Sequence, residues 1–162
     1  MKKALVVYYS LSGNTKGIAQ KIASYLNADI LELKTETPYP DDYDVLLSLG
    51  KRETTSGYLP KLKPYRIDFS KYGVVLVGAP VWWSTFAPAL RTFLTFNLAQ
   101  LKGKKVFPFT TNGDWLGHTP SDFKKLLRGV DLGPLLNIKF DEKTQVTPNL
   151  ALTDWLKEVV KS

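Results

Sequence analysis

Runs of apolar residues alternate along this chain with segments whose apolar residues recur at helical spacing. The first run follows the charged Lys3 and extends to Tyr9; it is apolar and rich in β-branched residues, which is typical of a strand buried on both faces. The next segment, Asn14 to Leu26, predicts an amphipathic helix. Its apolar face is formed by Ile18, Ile22, Tyr25 and Leu26.

The same alternation continues to the end of the chain. Four further strands are predicted at Asp29 to Leu33, Val74 to Val77, Lys105 to Thr110 and Leu135 to Phe140. Four further helices are predicted, one following Pro40 and ending near Ser56-Gly57, and others starting at Thr85, Thr119-Pro120 and Thr147-Pro148. In the last two, the threonine is expected to cap the helix and the proline to occupy its first position.

This alternation of five strands with five helices predicts an α/β fold in one domain spanning residues 1–162. Right-handed crossovers favour a doubly wound, five-stranded parallel sheet of strand order 2-1-3-4-5. The order reverses between the first and third strands, so a ligand is expected there, outside the carboxyl ends of the strands. Three loops should meet at that point: Ser10 to Thr15, Gly78 to Thr85, and Thr110 to His118.

The first of these loops has the composition of a phosphate site. It joins a buried strand to a helix, and the first N–H groups of a helix lack intrahelical partners and lie at its positive end. An ordinary capped connection is the alternative interpretation. The loop lacks the glycine and lysine patterns of dinucleotide and Walker loops. The candidate binding residues here are Ser10, Leu11, Ser12, Gly13, Asn14 and Thr15.

The second and third loops carry three of the four tryptophans of the chain. These indoles either cap the core beneath the loops or stack against a flat aromatic ligand whose phosphate lies in the first loop. The candidates on the second loop are Ala79, Pro80, Val81, Trp82, Trp83 and Ser84. Those on the third loop are Thr111, Asn112, Gly113, Asp114, Trp115 and His118.

These motifs resemble those of the short-chain flavodoxins over essentially the whole chain. Ser10 to Thr15 resembles the loop that binds the FMN phosphate, and Gly78 to Trp83 followed by Ala87 to Leu94 resembles a subgroup of flavodoxin-like proteins. The resemblance implies a flavodoxin-like fold, with FMN as cofactor and its isoalloxazine ring held by the second and third loops. It also implies that the flavin carries the electrons and that no side chain is catalytic.

Composition and charge limit the location, the metal content and the partners that we expect for this protein. The chain has no cysteine, no cluster with metal-ligand spacing and no apolar stretch long enough for a membrane span, so we expect a cytoplasmic protein without a metal. The net charge of +7 is spread along the chain, and nothing beyond charge supports nucleic-acid binding. Many flavodoxins are acidic, and this basic chain is instead expected to meet a redox partner with an acidic docking face.

Three functions remain open at this level. An electron-transfer flavoprotein is favoured by the short chain and by a fifth strand that we expect to be unbroken. A reductase resembling the flavodoxin-like NAD(P)H:quinone reductases, with NAD(P)H or a quinone as small-molecule partner, is favoured by the aromatic loops and the basic surface. A flavin-binding module without turnover is a weaker alternative. Asp114 could face the flavin or solvent, and His118 could donate a proton or serve the structure.

Overall fold

A computed structural model describes residues 3–162. Its strands are β1 (Lys3–Tyr8), β2 (Asp29–Glu32), β3 (Tyr72–Trp82), β4 (Thr85–Phe86), β5 (Lys105–Asn112), β6 (Asp131–Leu132), β7 (Leu136–Asp141) and β8 (Thr144–Gln145). Its helices are α1 (Asn14–Leu26), α2 (Tyr43–Ser56), α3 (Pro88–Phe96), α4 (Leu98–Leu101), α5 (Thr119–Leu126) and α6 (Asn149–Val160), with a 3₁₀ turn at Phe69–Lys71.

The central sheet has the predicted order. Its five principal strands lie as β2-β1-β3-β5-β7, which is 2-1-3-4-5 when those strands alone are numbered, and each neighbouring pair is parallel. The strand count differs from the prediction, because three two-residue strands bring the sheet to eight. Of these, β4 pairs with β3, β6 with β5 and β8 with β7, and the β4 and β8 pairings are antiparallel.

Helices bury apolar side chains on both faces of the sheet, as a doubly wound fold requires. On one face, Ile18 and Ile22 of α1 pack in a cluster with Leu156 of α6. On the other face, Phe93 of α3 packs in a cluster with Phe123 of α5. The predicted face of α1 was wrong at Tyr25, which is 51% exposed because it lies at the margin of the stripe that meets the sheet.

The second loop differs from its prediction. Strand β3 continues to Trp82, so residues 79–82 are strand rather than loop, and the helix expected from Thr85 begins at Pro88. The cause is a tight hairpin in which Trp82 pairs with Thr85, while the Ala87 N–H donates to the Pro80 carbonyl at 3.0 Å. These backbone groups are committed to strand pairing and cannot start the helix.

The expected caps of the last two helices were also wrong. The Thr147 hydroxyl accepts a hydrogen bond from the Lys139 N–H at 2.8 Å instead of capping α6. The Thr119 hydroxyl donates to the Leu116 carbonyl at 2.6 Å, and α5 has no side-chain cap. By contrast, α2 ends at Gly57 as predicted, with the left-handed backbone (φ 70°) that glycine allows.

The last principal strand, β7, is continuous from Leu136 to Asp141, as expected, but a hairpin that was not predicted follows it. After Asp141 the chain turns through Glu142 and Lys143 and pairs back along β7 as β8. Because this β7–β8 hairpin forms at the carboxyl edge of the sheet, it reaches the predicted phosphate loop. Within residues 3–162, no helix has both the length and the apolar character needed to cross a membrane.

Candidate functional site

The phosphate loop, residues 10–15, turns directly from β1 into α1. The Ser10 hydroxyl oxygen accepts from the Gly13 N–H at 3.2 Å and from the Lys16 N–H at 3.1 Å, so it braces the turn from inside. Gly13 takes a left-handed backbone (φ 101°) at the helix start. The N–H groups of Asn14 and Thr15 have no acceptor within residues 3–162, which leaves two donors at the positive end of α1.

The phosphate loop is tied to the end of β5 through two hydroxyl groups. Thr15 is buried, at 1% exposure, and its Oγ1 lies 2.7 Å from Oγ1 of Thr111. Next to Thr111, the Asn112 Oδ1 accepts from Asn137 Nδ2 at 3.0 Å. The Asn112 Nδ2 is buried and, among the described residues, has no hydrogen-bond partner. A buried amide donor without an acceptor is costly, so a ligand atom that accepted this hydrogen bond would stabilise the sheet edge.

The second loop is a hairpin turn in which Trp83 and Ser84 both have left-handed backbones, with φ of 47° and 73°. Such a backbone is unfavourable for side chains larger than glycine. Two contacts hold it in place: the Trp83 Nε1–H donates to the Leu47 carbonyl at 3.0 Å, and the Ser84 carbonyl accepts from the His118 N–H at 2.9 Å. The Trp83 side chain is therefore fixed against α2 while remaining 46% exposed.

Trp82 has a different environment from Trp83. Its ring packs edge-to-face on Tyr9 at 5.9 Å and on Tyr39 at 5.0 Å. Tyr39 in turn donates to the Glu53 carboxylate at 2.7 Å. Burial, reinforced by that hydrogen bond and the charge of Glu53, raises the pKa of Tyr39 well above its ordinary value of 10.0. Tyr39 therefore stays neutral, and Trp82 packs as a partly buried side chain against the core.

A groove of about 410 Å³ opens beside these tryptophans. Its walls come from the phosphate loop, the end of β3 and the first half of α2, and they are almost wholly apolar. Gly50 of α2 faces both tryptophans, and a β-carbon there would meet Cδ1 of Trp83 at 3.6 Å, an ordinary van der Waals distance. The lining residues are Leu11, Tyr43, Leu46, Leu47, Gly50, Val81, Trp82 and Trp83.

The contribution of α2 to this groove was missed from the sequence. No role was assigned to Tyr43 from the sequence, yet this side chain is 70% exposed and lines the groove. The place of α2 in the chain could have indicated this contribution. An N-terminal half of a helix that follows β2 lies at the carboxyl edge of the sheet, beside the end of β1.

The third loop meets the second loop at one point. A β-carbon on Gly117 would lie 2.2 Å from the Ser84 β-carbon, so only glycine permits this contact. The neighbouring His118 places its Nδ1 2.6 Å from a carboxylate oxygen of Asp122, which also accepts the Thr85 hydroxyl at 2.6 Å. His118 thus contacts both the start of α5, through Asp122, and the base of the second loop, through the Ser84 carbonyl.

The rest of the third loop does not line the groove. Trp115 is 70% exposed, and neither it nor Asp114 is among the residues that line the groove. The structure therefore brings together the phosphate loop and the end of β3, with Thr111 and Asn112 beside them.

The β7–β8 hairpin supplies contacts that sequence reasoning missed. The Asn14 Nδ2 donates to the Glu142 carbonyl at 2.8 Å, and the Lys143 ammonium donates to the Ser12 carbonyl. The polar run from Asp141 to Thr144 after an alternating strand is a turn signal, but only the fold shows that this turn reaches the phosphate loop.

Comparisons with known proteins agree with this geometry. A family model described as Flavodoxin matches residues 3–158. The chain is similar to a solved structure assigned as a flavoprotein from Bacteroides eggerthii, with 26% identity, coverage of 99% of each chain and a TM-score of 0.81. It is also similar to the structure of a flavoprotein in complex with FMN from Lactobacillus acidophilus, with 24% identity, 96% of this chain and 99% of that chain covered, and a TM-score of 0.77.

A third similar structure is the apo-form of the flavoprotein from Lactobacillus acidophilus. It has 27% identity, with 85% of this chain and 92% of that chain covered, and a TM-score of 0.65. No curated protein matches the chain.

Proposed function

The chain belongs to the flavodoxin family, and from this premise we propose that it binds one FMN at the carboxyl edge of its sheet and passes electrons between protein partners. The observation that carries the proposal is the position of the phosphate loop, with its unpartnered N–H groups, directly beside the apolar groove. That pairing suits a ligand with an anionic tail and a flat aromatic body.

The donor groups of the phosphate loop fit a phosphate monoester. Asn14 and Thr15 offer N–H groups at the positive end of α1, and Ser12 offers a hydroxyl. The buried Asn112 Nδ2, which lacks a protein acceptor within residues 3–162, fits a polar atom of the ligand. This orphaned amide is the feature that an ordinary capped connection would not need.

The groove fits the apolar part of the same ligand. Bound FMN supplies one- and two-electron chemistry, and the protein supplies binding, orientation and environment. Leu11 and Val81 would exclude water from a planar ring, while the fixed indole of Trp83 would give it an aromatic wall. The structure of the flavoprotein from Lactobacillus acidophilus with FMN supports this choice of ligand.

Exposed aromatic side chains at the site favour electron transfer between proteins. Trp83 and Trp115 keep 46% and 70% of their surface exposed at the sheet edge, so a partner protein can approach closely. The net charge of +7 suits a partner whose docking face is acidic. A quinone reductase is the second candidate, because a groove of about 410 Å³ could also hold a small aromatic acceptor.

Titration of the apoprotein with FMN and with riboflavin tests the binding step. Since the phosphate loop contributes hydrogen bonds to a charged group, FMN should bind at least about tenfold more tightly than riboflavin. Quenching of flavin fluorescence reports the binding of both ligands. Equal affinities for FMN and riboflavin, or no binding of either, would overturn the proposed site.

A further inference from the structure

The β7–β8 hairpin holds a lysine over the phosphate loop. The Lys143 ammonium donates to the Ser12 carbonyl, and a β-carbon added to Gly13 would lie 4.0 Å from its Nζ. The hairpin is fixed in this position by a second contact, in which Asn14 Nδ2 donates to the Glu142 carbonyl at 2.8 Å. Both residues of the turn, Glu142 and Lys143, therefore contact the loop that leads into α1.

The charge of this lysine has no protein counterpart. Within residues 3–162, no carboxylate lies within 4.0 Å of its ammonium, whereas eight other pairs of charged groups meet that distance. The ammonium also lies at the start of α1, where the helix dipole is positive and a cation is unfavourable. An anion bound in the phosphate loop would give this ammonium a counter-charge and offset its unfavourable interaction with the helix dipole.

We propose that Lys143 binds the phosphate of FMN and makes the site selective for the phosphorylated flavin. This inference rests on the proposed function, and it adds a charged residue to a loop that otherwise offers only hydroxyl and N–H donors. The lysine side chain has four rotatable bonds, so its ammonium can turn from the Ser12 carbonyl to a phosphate oxygen. The hairpin thereby gives the phosphate loop a cation that the loop sequence itself lacks.

A purely structural role for Lys143 has a different signature. If the lysine only pinned the hairpin to the Ser12 carbonyl, its loss would change the stability of the apoprotein and weaken FMN and riboflavin alike. A phosphate-binding lysine instead affects FMN, whose phosphate is charged, and leaves riboflavin unchanged. The ratio of the two affinities therefore separates the two roles.

The test compares the variants Lys143→Gln and Lys143→Arg with a matched control, Lys157→Gln. Lys157 is an exposed lysine in the last turn of α6, so its replacement changes the net charge equally without touching the phosphate loop. Dissociation constants for FMN and riboflavin are measured by flavin fluorescence at low and at moderate salt. Thermal unfolding of each apoprotein reports stability.

For Lys143→Gln we expect FMN to bind about tenfold more weakly and riboflavin to bind as in the parent, because one charge-assisted hydrogen bond is lost. Lys143→Arg should restore FMN binding to within about threefold, since it keeps the charge. The salt dependence of FMN binding should fall for Lys143→Gln and stay unchanged for Lys157→Gln.

Two results would overturn the inference. One is an unchanged FMN affinity in Lys143→Gln; the other is a parallel loss for FMN and riboflavin. A parent protein that does not prefer FMN to riboflavin would instead refute the proposed function itself. The two failures are therefore distinguishable in the same set of titrations.

Discussion

The hydroxyl oxygens of Thr15 and Thr111 lie 2.7 Å apart and join the first turn of α1 to the end of β5. Both side chains are buried, so the contact fixes the spacing between the phosphate loop and the strand that carries Asn112. The donors proposed for the ligand are thus held in place before any ligand binds, which lowers the entropic cost of binding.

Removing the Thr15 hydroxyl should weaken both the site and the fold. In Thr15→Ala, Thr111 loses its hydroxyl partner, and we expect a loss of about 1–3 kcal/mol in the free energy of unfolding. FMN should bind about tenfold more weakly, because loss of the Thr15–Thr111 hydrogen bond loosens the spacing between the phosphate loop and β5. Thr15→Ser keeps the hydroxyl and should retain most of both. Urea unfolding and FMN titration measure the effects, and an unaltered FMN affinity in Thr15→Ala would exclude a role for the Thr15 hydroxyl in positioning the site.

The tryptophans should separate into a core residue and surface residues. Trp82→Ala should cost about 3 kcal/mol of unfolding free energy, because the ring packs on Tyr9 and Tyr39. Trp115→Ala should change stability by less than about 1 kcal/mol, since its side chain is 70% exposed. Trp83→Ala should lose about 1 kcal/mol, because its indole hydrogen bond to the Leu47 carbonyl is lost.

The same tryptophan variants test the position of the flavin ring. The groove is lined by Trp83 and not by Trp115, so Trp83→Ala should relieve most of the quenching of flavin fluorescence and Trp115→Ala little of it. Full quenching in all three alanine variants would show that none of these indoles lies against the ring.

Glycine should be required at position 117 for steric reasons as well as for its backbone conformation. Gly57 and Gly117 both have positive φ, at 70° and 57°, but only at Gly117 would a β-carbon collide with Ser84. Gly57→Ala should therefore lose about 1–2 kcal/mol from backbone strain alone. Gly117→Ala should lose more, because overpacking adds its own cost and forces the second and third loops apart. Denaturant unfolding of the two variants compares them, and equal losses would contradict the close contact.

The loss of folding stability at acid pH should depend on Tyr72. Its hydroxyl donates to the Asp29 carboxylate at 2.6 Å, and this hydrogen bond, with a further one from Lys3, holds the Asp29 pKa below its usual 3.8. A lowered folded pKa contributes stability that is present above the unfolded value and is lost as pH falls through the folded one.

In Tyr72→Phe, the pKa of Asp29 should rise toward 3.8, so less stability is lost on acidification below about pH 4. The same hydrogen bond raises the pKa of Tyr72 to about 12 from its ordinary 10.0. The stability that it contributes is lost as pH rises through the folded pKa, and Tyr72→Phe should lack this alkaline dependence. Carboxyl NMR titration of Asp29 measures the change, and an identical pKa in parent and variant would contradict it.

The parts of the fold set by periodicity could be predicted from the sequence. Buried runs such as Val74 to Val77 specify parallel strands, and the polar turn before Asn14 specifies the phosphate loop. The start of α3 could not be placed, because Phe86 fits a helical face as well as it fits the strand that it forms. Backbone pairing between Trp82 and Thr85 decided between the two, and that pairing is a tertiary property.

The groove and the β7–β8 hairpin could not be predicted from the sequence for a related reason. Each depends on which elements meet at the sheet edge, as when Tyr43 of α2 comes to lie beside Leu11. Likewise, Lys143 reaches Ser12 across 131 positions of sequence. Local patterns identify such residues as polar turns or helix faces, and only the assembled sheet gives them a partner.

The most direct test of electron transfer between proteins is stopped-flow mixing of the FMN-loaded protein with NADPH alone, without oxygen. Transfer of hydride requires the nicotinamide ring to stack on an open face of the flavin. The Ser84–Gly117 contact holds the second loop against the third, and we propose that the flavin itself fills the groove beside Trp83. Neither place is then open to a nicotinamide ring. We predict no bleaching of the flavin over minutes with NADPH, and rapid bleaching when a flavoprotein reductase is added. Complete bleaching by NADPH within seconds, followed by turnover with a quinone, would contradict the account and establish a reductase.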